Sequence, residues 1–390
     1  MGNAKTTPLI TLPPSKLPNL PESIFSTMNQ VALQNNALNL AQGFPDFPAD
    51  PRLIAYLNEA MKAGYNQYAP MAGIYSLREA IAEKIQNLYK ASYNPEKEIT
   101  LTVGATQAIY TAITAMVHPG DEVIVFKPAY DCYEPTVKAA GGTVVPLQME
   151  GKHFKINWEA FRKALGPKTR MVVINSPHNP SGTVLTDEDM EELENSLAGT
   201  DVMVLSDEAY EHLVFDGQPL RSVARYPALA ERSFLCASFG KTFHATGWKM
   251  GYCAAPAALM KEFLKIHEFA VFAVHHPTQR ALSKYLKEPE HYLNLPGFFQ
   301  QKRDTFLQSI QGSRFRYTPA QGTYFQILEY DTITDEPDVE FAKRLAAEFG
   351  IAGIPISVFN LNQQDNRQLR FCFAKKDETL QQAGEILSRV

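Results

Sequence analysis

Val202-Met203-Val204-Leu205-Ser206-Asp207-Glu208-Ala209-Tyr210 runs four apolar residues straight into a serine, an aspartate and, three positions on, a tyrosine. An apolar run without polar alternation is the pattern of a strand covered on both faces. Val123–Phe126, Thr143–Leu147, Met171–Ile174, Phe234–Ala237 and Gly251–Ala255 have the same character, with helical stretches between them. The alternation predicts an α/β fold with a mostly parallel central sheet covered by helices. Functional groups in such a sheet gather at strand ends, which is where Asp207 falls.

Outward from this core, Leu53, Ile54, Leu57 and Met61, and then Leu77, Ile81, Ile85 and Leu88, recur at helical spacing. Beyond residue 286 the texture changes to longer polar helices, Gly297–Gln311 and Val339–Phe349, with isolated strands at Tyr324–Leu328 and Leu369–Phe373. This predicts a smaller α+β domain. The boundaries expected are 1–45 for an N-terminal arm and part of the small domain, 46–285 for the large domain, and 286–390 for the rest of the small domain. Pro8, Pro13, Pro14 and Pro18 favour an extended arm at the start, of the kind that often lies across a partner subunit.

The chain has 390 residues, 45% of them hydrophobic and 20% charged, with a formal net charge of −5. That composition suits a globular enzyme with a sizeable core and argues against gripping nucleic acid phosphates. No run approaches the roughly 20 apolar residues of a membrane span, and the polar, proline-rich start is unlike a signal peptide, so the expected address is the cytoplasm. Cys132, Cys236, Cys253 and Cys372 are too scattered for a disulfide framework and form no CxxC pair, so they read as reduced fillers. The histidines form no HExxH helix, and His275-His276 lacks further ligands in register, so no metal site is expected.

The chemistry concentrates at strand ends. Ser238-Phe239-Gly240-Lys241 puts a lysine just past Phe234–Ala237, where poor solvation disfavours the charged amine and makes it a potential nucleophile. The same residues match the SxxK pattern of serine enzymes, but no SDN or KTG element accompanies it. Thr246–Tyr252 brings Lys249 close enough to share an anion with Ser238. Asp207, nearly buried, needs a cation. Asn175-Ser176-Pro177-His178-Asn179-Pro180-Ser181-Gly182 offers the Asn179 amide on a rigid loop, or is merely a proline-rich turn. Thr102-Val103-Gly104-Ala105-Thr106-Gln107-Ala108 leads a small-residue turn into an apolar helix whose free N–H groups suit phosphate. No GxGxxG or GxxxxGK[ST] fingerprint occurs, which disfavours a nicotinamide dehydrogenase. Together the five signals ask for a ligand with a phosphate, a ring nitrogen, a phenolic oxygen and an aldehyde. Pyridoxal 5'-phosphate has all four.

In this order the residues resemble class I aminotransferases of fold type I over nearly the whole chain. Ser238–Lys241 resembles the family's lysine motif, Asp207–Tyr210 its Asp-x-x-Tyr, Asn179–Gly182 its Asn-Pro-x-Gly, and Arg370 in Leu369-Arg370-Phe371-Cys372-Phe373 its carboxylate-binding arginine. The resemblance implies that Lys241 carries the cofactor as a Schiff base and shuttles the proton. It implies that Asp207 pairs with the pyridine nitrogen and that Asn179 and Tyr210 bond the ring's oxygen. The phosphate would rest on the Gly104-Ala105-Thr106 turn, Ser238 and Lys249, a lysine where aspartate aminotransferases more commonly have arginine. Tyr130 would stack on the ring, and Tyr68 would reach in from the other subunit of a homodimer. Gly43, Asn179 and Arg370 would hold the substrate, with Phe25, Phe44, Tyr68, Tyr130 and the segment Val274–His276 around its side chain.

Gln42–Phe47, Asn66-Gln67-Tyr68, Asp131–Pro135 and Arg370–Phe373 are similar to kynurenine/glutamine aminotransferases. Asn66–Met71 and Phe239–Thr242 more closely resemble bacterial methionine aminotransferases. The expected reaction is transfer of an amino group from methionine, and also from glutamine or aromatic amino acids, to an α-keto acid. A cysteine-conjugate β-lyase would use the same residues. A cofactor-binding sensor without catalysis would need a basic DNA-binding extension for which the chain leaves no room.

Overall fold

The structure, a computed structural model, describes residues 13–18 and 20–390; Pro8 and the first twelve residues of the expected arm lie outside the described residues. Residues 13–18 form no helix or strand, and the first regular element among the described residues is a helix, Ile24–Gln34, whose Met28 and Ala32 are buried in the core. Its apolar residues, Ile24, Phe25, Met28, Val31 and Ala32, fall among polar ones and do not stand out in the sequence.

Among the described residues twelve strands follow one another as β1 (Leu38–Asn39), β2 (Ile99–Thr102), β3 (Glu122–Lys127), β4 (Thr143–Gln148), β5 (Thr169–Asn175), β6 (Met203–Asp207), β7 (Ser233–Ser238), β8 (Gly251–Ala254), β9 (Phe325–Glu329), β10 (Ile351–Ala352), β11 (Ile354–Pro355) and β12 (Gln368–Cys372). The central sheet has seven strands in the order β2-β8-β7-β6-β5-β3-β4. β4, β3, β5, β6 and β7 run parallel, and β8 is antiparallel to both of its neighbours. All six expected strands are present. The edge strand β2 is additional.

Both faces of this sheet are covered, which explains the unbroken apolar runs. Val123, Val125, Met171, Val173, Leu205 and Phe234 pack against the helices Gly104–Met116 and Ala257–Ala270. The alternate residues Ile124, Phe126, Val172, Ile174, Val204 and Leu235 belong to the larger core on the opposite face. Asp50 caps the helix Pro51–Lys62 by accepting from the Arg52 N–H, with Pro51 in the first turn. Of its apolar stripe Leu53 is fully buried, but Ile54 and Met61 stay exposed.

A second, antiparallel sheet of order β11-β12-β9 packs against the helix Asp338–Arg344, and the helices Leu295–Ser309 and Asp377–Leu387 pack on each other. The short β1 pairs in parallel with β10, and the Cys372 N–H donates to Leu40 O, so the segment after the first helix is tied to the C-terminal part of the chain. The helix expected over Val339–Phe349 is Asp338–Arg344 followed by a π-helical turn, Leu345–Phe349.

Candidate active site

Strands β5, β6 and β7 end side by side, and their last residues, Asn175, Asp207 and Ser238, lie on one cavity of about 300 Å³. β8 starts at the same end. Gly251 is required there, because a Cβ would sit 2.5 Å from Ala237 O, 2.8 Å from Gly104 C and 2.9 Å from Ala105 N, all backbone atoms. That close approach sets the start of β8 against the first turn of the helix Gly104–Met116, whose Gly104 has φ +72°. Among the described residues the helix has no side-chain cap at its N-terminus, and its first residues, Gly104, Ala105 and Thr106, line the cavity together with Ser238 and Lys249. Lys249 Nζ lies 3.5 Å from the point where a Gly104 Cβ would stand. A capless helix N-terminus, a hydroxyl and an ammonium form a cup for a dianion.

Asp207 is buried, and its carboxylate accepts from Tyr133 Oη at 2.6 Å and from the Ala209 N–H at 3.0 Å. Burial pushes its pKa up, while these two donors and the nearby Lys241 pull the other way. Lys241 emerges from the turn after β7, where the Ser238 hydroxyl accepts from its N–H. Its Nζ donates to Gly43 O at 2.8 Å, and burial lowers its pKa to about 8. An amine in that range is a usable nucleophile and base near neutral pH. Tyr324 Oη donates to the same carbonyl at 2.6 Å, and Phe325 presses on Gly43 so closely that a Cβ would stand 2.9 Å from its ring.

Arg370, on β12, comes into the cavity from the second sheet and is fully buried. Nη1 donates to Asn179 Oδ1 at 2.7 Å and Nη2 to Ala41 O at 3.2 Å, while the guanidinium carbon lies 3.8 Å from the centroid of the Phe325 ring. Burial pulls its pKa down from the ordinary arginine range. Its Nε is buried without a hydrogen-bond partner among the described residues. An unsatisfied donor on a planar cation is a standing demand for an anion.

Asn179 is held by its own backbone, since its N–H donates to Asn175 Oδ1 at 2.8 Å. His178 locks the same loop: Nε2 meets Pro128 O at 3.0 Å and Nδ1 meets Ser181 Oγ at 2.6 Å, with its pKa pushed down to about 4 by burial. It therefore stays neutral and acts as a strut.

The cavity brings together Phe25, Gly43, Phe44, Gly104, Ala105, Thr106, Tyr130, Asn179, Asp207, Tyr210, Ser238, Lys241, Lys249 and Arg370. Of the sequence-expected residues, Tyr68 and Val274–His276 do not reach it within their own chain. Tyr68 is 80% exposed, with its ring edge-on to Phe272. Val274 is packed in the core, His275 bonds Thr278, and His276 Nδ1 bonds Gln67 O, so within one chain this segment lies outside the cavity. The reading missed Ile109, Met250 and Phe325 in the wall and the supports Asn175, His178, Tyr133 and Tyr324. Asn175 alone left a signal, as a polar residue closing an apolar run.

Residues 35–387 match the family model of the class I and II aminotransferases. The methionine aminotransferase of Escherichia coli is 46% identical over 380 residues, spanning 97% of this chain and 98% of that protein. The human kynurenine–oxoglutarate transaminase 3 is 32% identical over 403 residues, spanning 95% and 89%. A crystal structure from Escherichia coli, of a protein with methionine aminotransferase function, superimposes with a TM-score of 0.96 at 45% identity, covering 98% of this chain and all of the other.

Proposed function

The chain belongs to the class I and II aminotransferases, whose fold-type I members transfer amino groups with pyridoxal phosphate, and from that premise we propose that it takes the amino group of methionine. Glutamine and aromatic amino acids are further donors in this reading, an α-keto acid is the acceptor, and the mechanism is ping-pong.

The donor set suits the cofactor. The phosphate would be held by the Ala105 and Thr106 N–H groups at the uncapped helix start, by Ser238 and by Lys249. Asp207 would face the ring nitrogen, Asn179 and Tyr210 the phenolic oxygen, and Tyr130 the ring. When bound, the cofactor supplies an aldehyde for the Lys241 amine and a ring that takes up the electrons released at the substrate's α-carbon. Lys241 has the proton work: with its pKa lowered to about 8 it can accept the α-proton and give it back near neutral pH. Arg370, rigid against Phe325 and with Nε unpaired, would clamp the α-carboxylate.

The observation that carries the substrate reading is the remainder of the wall. Phe25, Phe44, Ile109, Met250 and Phe325 are apolar, Gln42 and Thr246 are uncharged, and Arg370 is the one arginine among the described lining residues. An acidic side chain would lack a second cation there, whereas an uncharged, flexible thioether would bury well. The 46% identity to the Escherichia coli methionine aminotransferase supports the same choice.

The test is an absorbance scan of the protein and its Lys241→Ala variant with pyridoxal phosphate, before and after adding methionine. A pH-sensitive visible band that needs Lys241, falls with methionine and returns with an α-keto acid is the expected result. A band indifferent to methionine sinks the substrate assignment and leaves the family chemistry standing.

A further inference from the structure

Tyr133 does not line the cavity, yet it touches two residues that do. Its phenol donates to Asp207 Oδ2 at 2.6 Å, and its ring meets Tyr130 edge-on, with centroids 5.9 Å apart at 81°. Both Tyr133 and Asp207 are buried. Tyr133 opens the helix Tyr133–Ala139, so its position is set by backbone 74 residues from the carboxylate.

A phenol–oxygen distance of 2.6 Å lies in the charge-assisted range of roughly 2.5–2.7 Å, and such a bond favours the ionised carboxylate. Burial disfavours that same form. The ionisable groups around Asp207 are Lys241 after β7, Cys236 on β7, Tyr130 and Cys132 ahead of the helix, and Tyr210 beyond β6. Of these only Lys241 brings positive charge, and Lys241 is occupied when it holds an aldehyde. The standing support of the carboxylate is then the Tyr133 hydroxyl together with the Ala209 N–H.

We propose that Tyr133 is a positioning residue of this active site: by donating to Asp207 Oδ2 it fixes the carboxylate and keeps it ionised, so that Asp207 can hold a protonated ring nitrogen. The proposal rests on the aminotransferase reading. It concerns how Asp207 is tuned, and it assigns Tyr133 no contact with cofactor or substrate.

The experiment loads pyridoxal phosphate into the wild-type chain, Tyr133→Phe, Asp207→Asn and the double variant. It follows the pH midpoint of the visible band and the cofactor dissociation constant. Tyr133→Phe removes a single oxygen and should shift the midpoint and loosen the cofactor by about tenfold, the scale of one hydrogen bond to a charged group. In the Asp207→Asn background the same change should add nothing, because the partner it acts through is gone. An unchanged midpoint and affinity in Tyr133→Phe overturns the proposal. So does a shift of equal size in the Asp207→Asn background, which would make Tyr133 a packing residue. A wild-type chain with no band overturns the reading beneath it, a result distinct from either.

Discussion

Lys241 illustrates how one side chain can be costly to the fold and useful to the chemistry. Among the described residues its amine has one hydrogen-bond acceptor, Gly43 O, and Asp207, whose charge favours the ammonium, is engaged by Tyr133 and Ala209. Burial therefore lowers the lysine from 10.5 to about 8. For a cation whose folded pKa is depressed, the penalty is complete at pH values below the folded pKa, where both states carry the proton. It fades as pH rises from about 8 to 10.5, because the folded amine is then neutral while the unfolded one is still charged. The cofactor-free Lys241→Met variant should accordingly be more stable than the wild type at neutral pH by about 2 kcal/mol, a figure reduced for residual solvent at a half-buried group. Urea unfolding at neutral pH and again near the unfolded pKa checks it. A stability difference that does not shrink at the higher pH would mean that the lysine is not strained by its charge. The same depressed pKa leaves an appreciable share of free amine for reaction near neutrality.

Among the elements, the junction of β8 with the helix Gly104–Met116 decides whether a phosphate cup exists. Gly251→Ala would drive a methyl into three backbone atoms, none of which can rotate away. The expected outcome is a loss of roughly 3 kcal/mol in stability, with a matching fall in cofactor affinity as the strand and helix separate. Gly247→Ala, with nothing within 4 Å of its Cβ, is the control and should leave both unchanged. Melting curves with and without pyridoxal phosphate distinguish the outcomes, and equal behaviour of the two variants would dismiss the close approach as a determinant. The inner parallel strands β3, β5, β6 and β7 were legible because both faces are buried, so each wrote a block such as Met171–Ile174 into the sequence. β2 was not, since Ile99-Thr100-Leu101-Thr102 buries two threonines and reads as half polar. Lys84 likewise hides in the helix Tyr75–Tyr89, where Glu211 and Tyr252 take its charge. Site residues that bear chemistry themselves, such as Asp207, Lys241 and Arg370, stand at strand ends or in motifs. Tyr133, Tyr324 and Phe325 matter through contacts with residues far along the chain, and no local pattern records a contact of that kind.

At the scale of the whole molecule, the single chain leaves large apolar side chains in water. Phe269 is 92% exposed and Tyr68 80%, and Phe272, Tyr65, Ile54 and Met61 are exposed as well. We propose that these side chains belong to an association surface that a homodimer would cover. In that dimer each Tyr68 would complete the phosphate cup of the opposite subunit, an arrangement with a stoichiometric consequence. Tyr68→Ala and Lys241→Ala chains, given different tags, co-expressed and purified as the mixed dimer, combine one defect of each kind. If Tyr68 serves the opposite subunit, the mixed dimer holds one site with both its lysine and its tyrosine intact and one with neither. It should then recover about half the wild-type activity per dimer. If Tyr68 served its own subunit, each site would lack one of the two residues, and the mixed dimer would be no better than the average of its parents. Activity at the parental average would therefore refute the shared site, and a fully active monomer at high dilution would refute the dimer's role altogether.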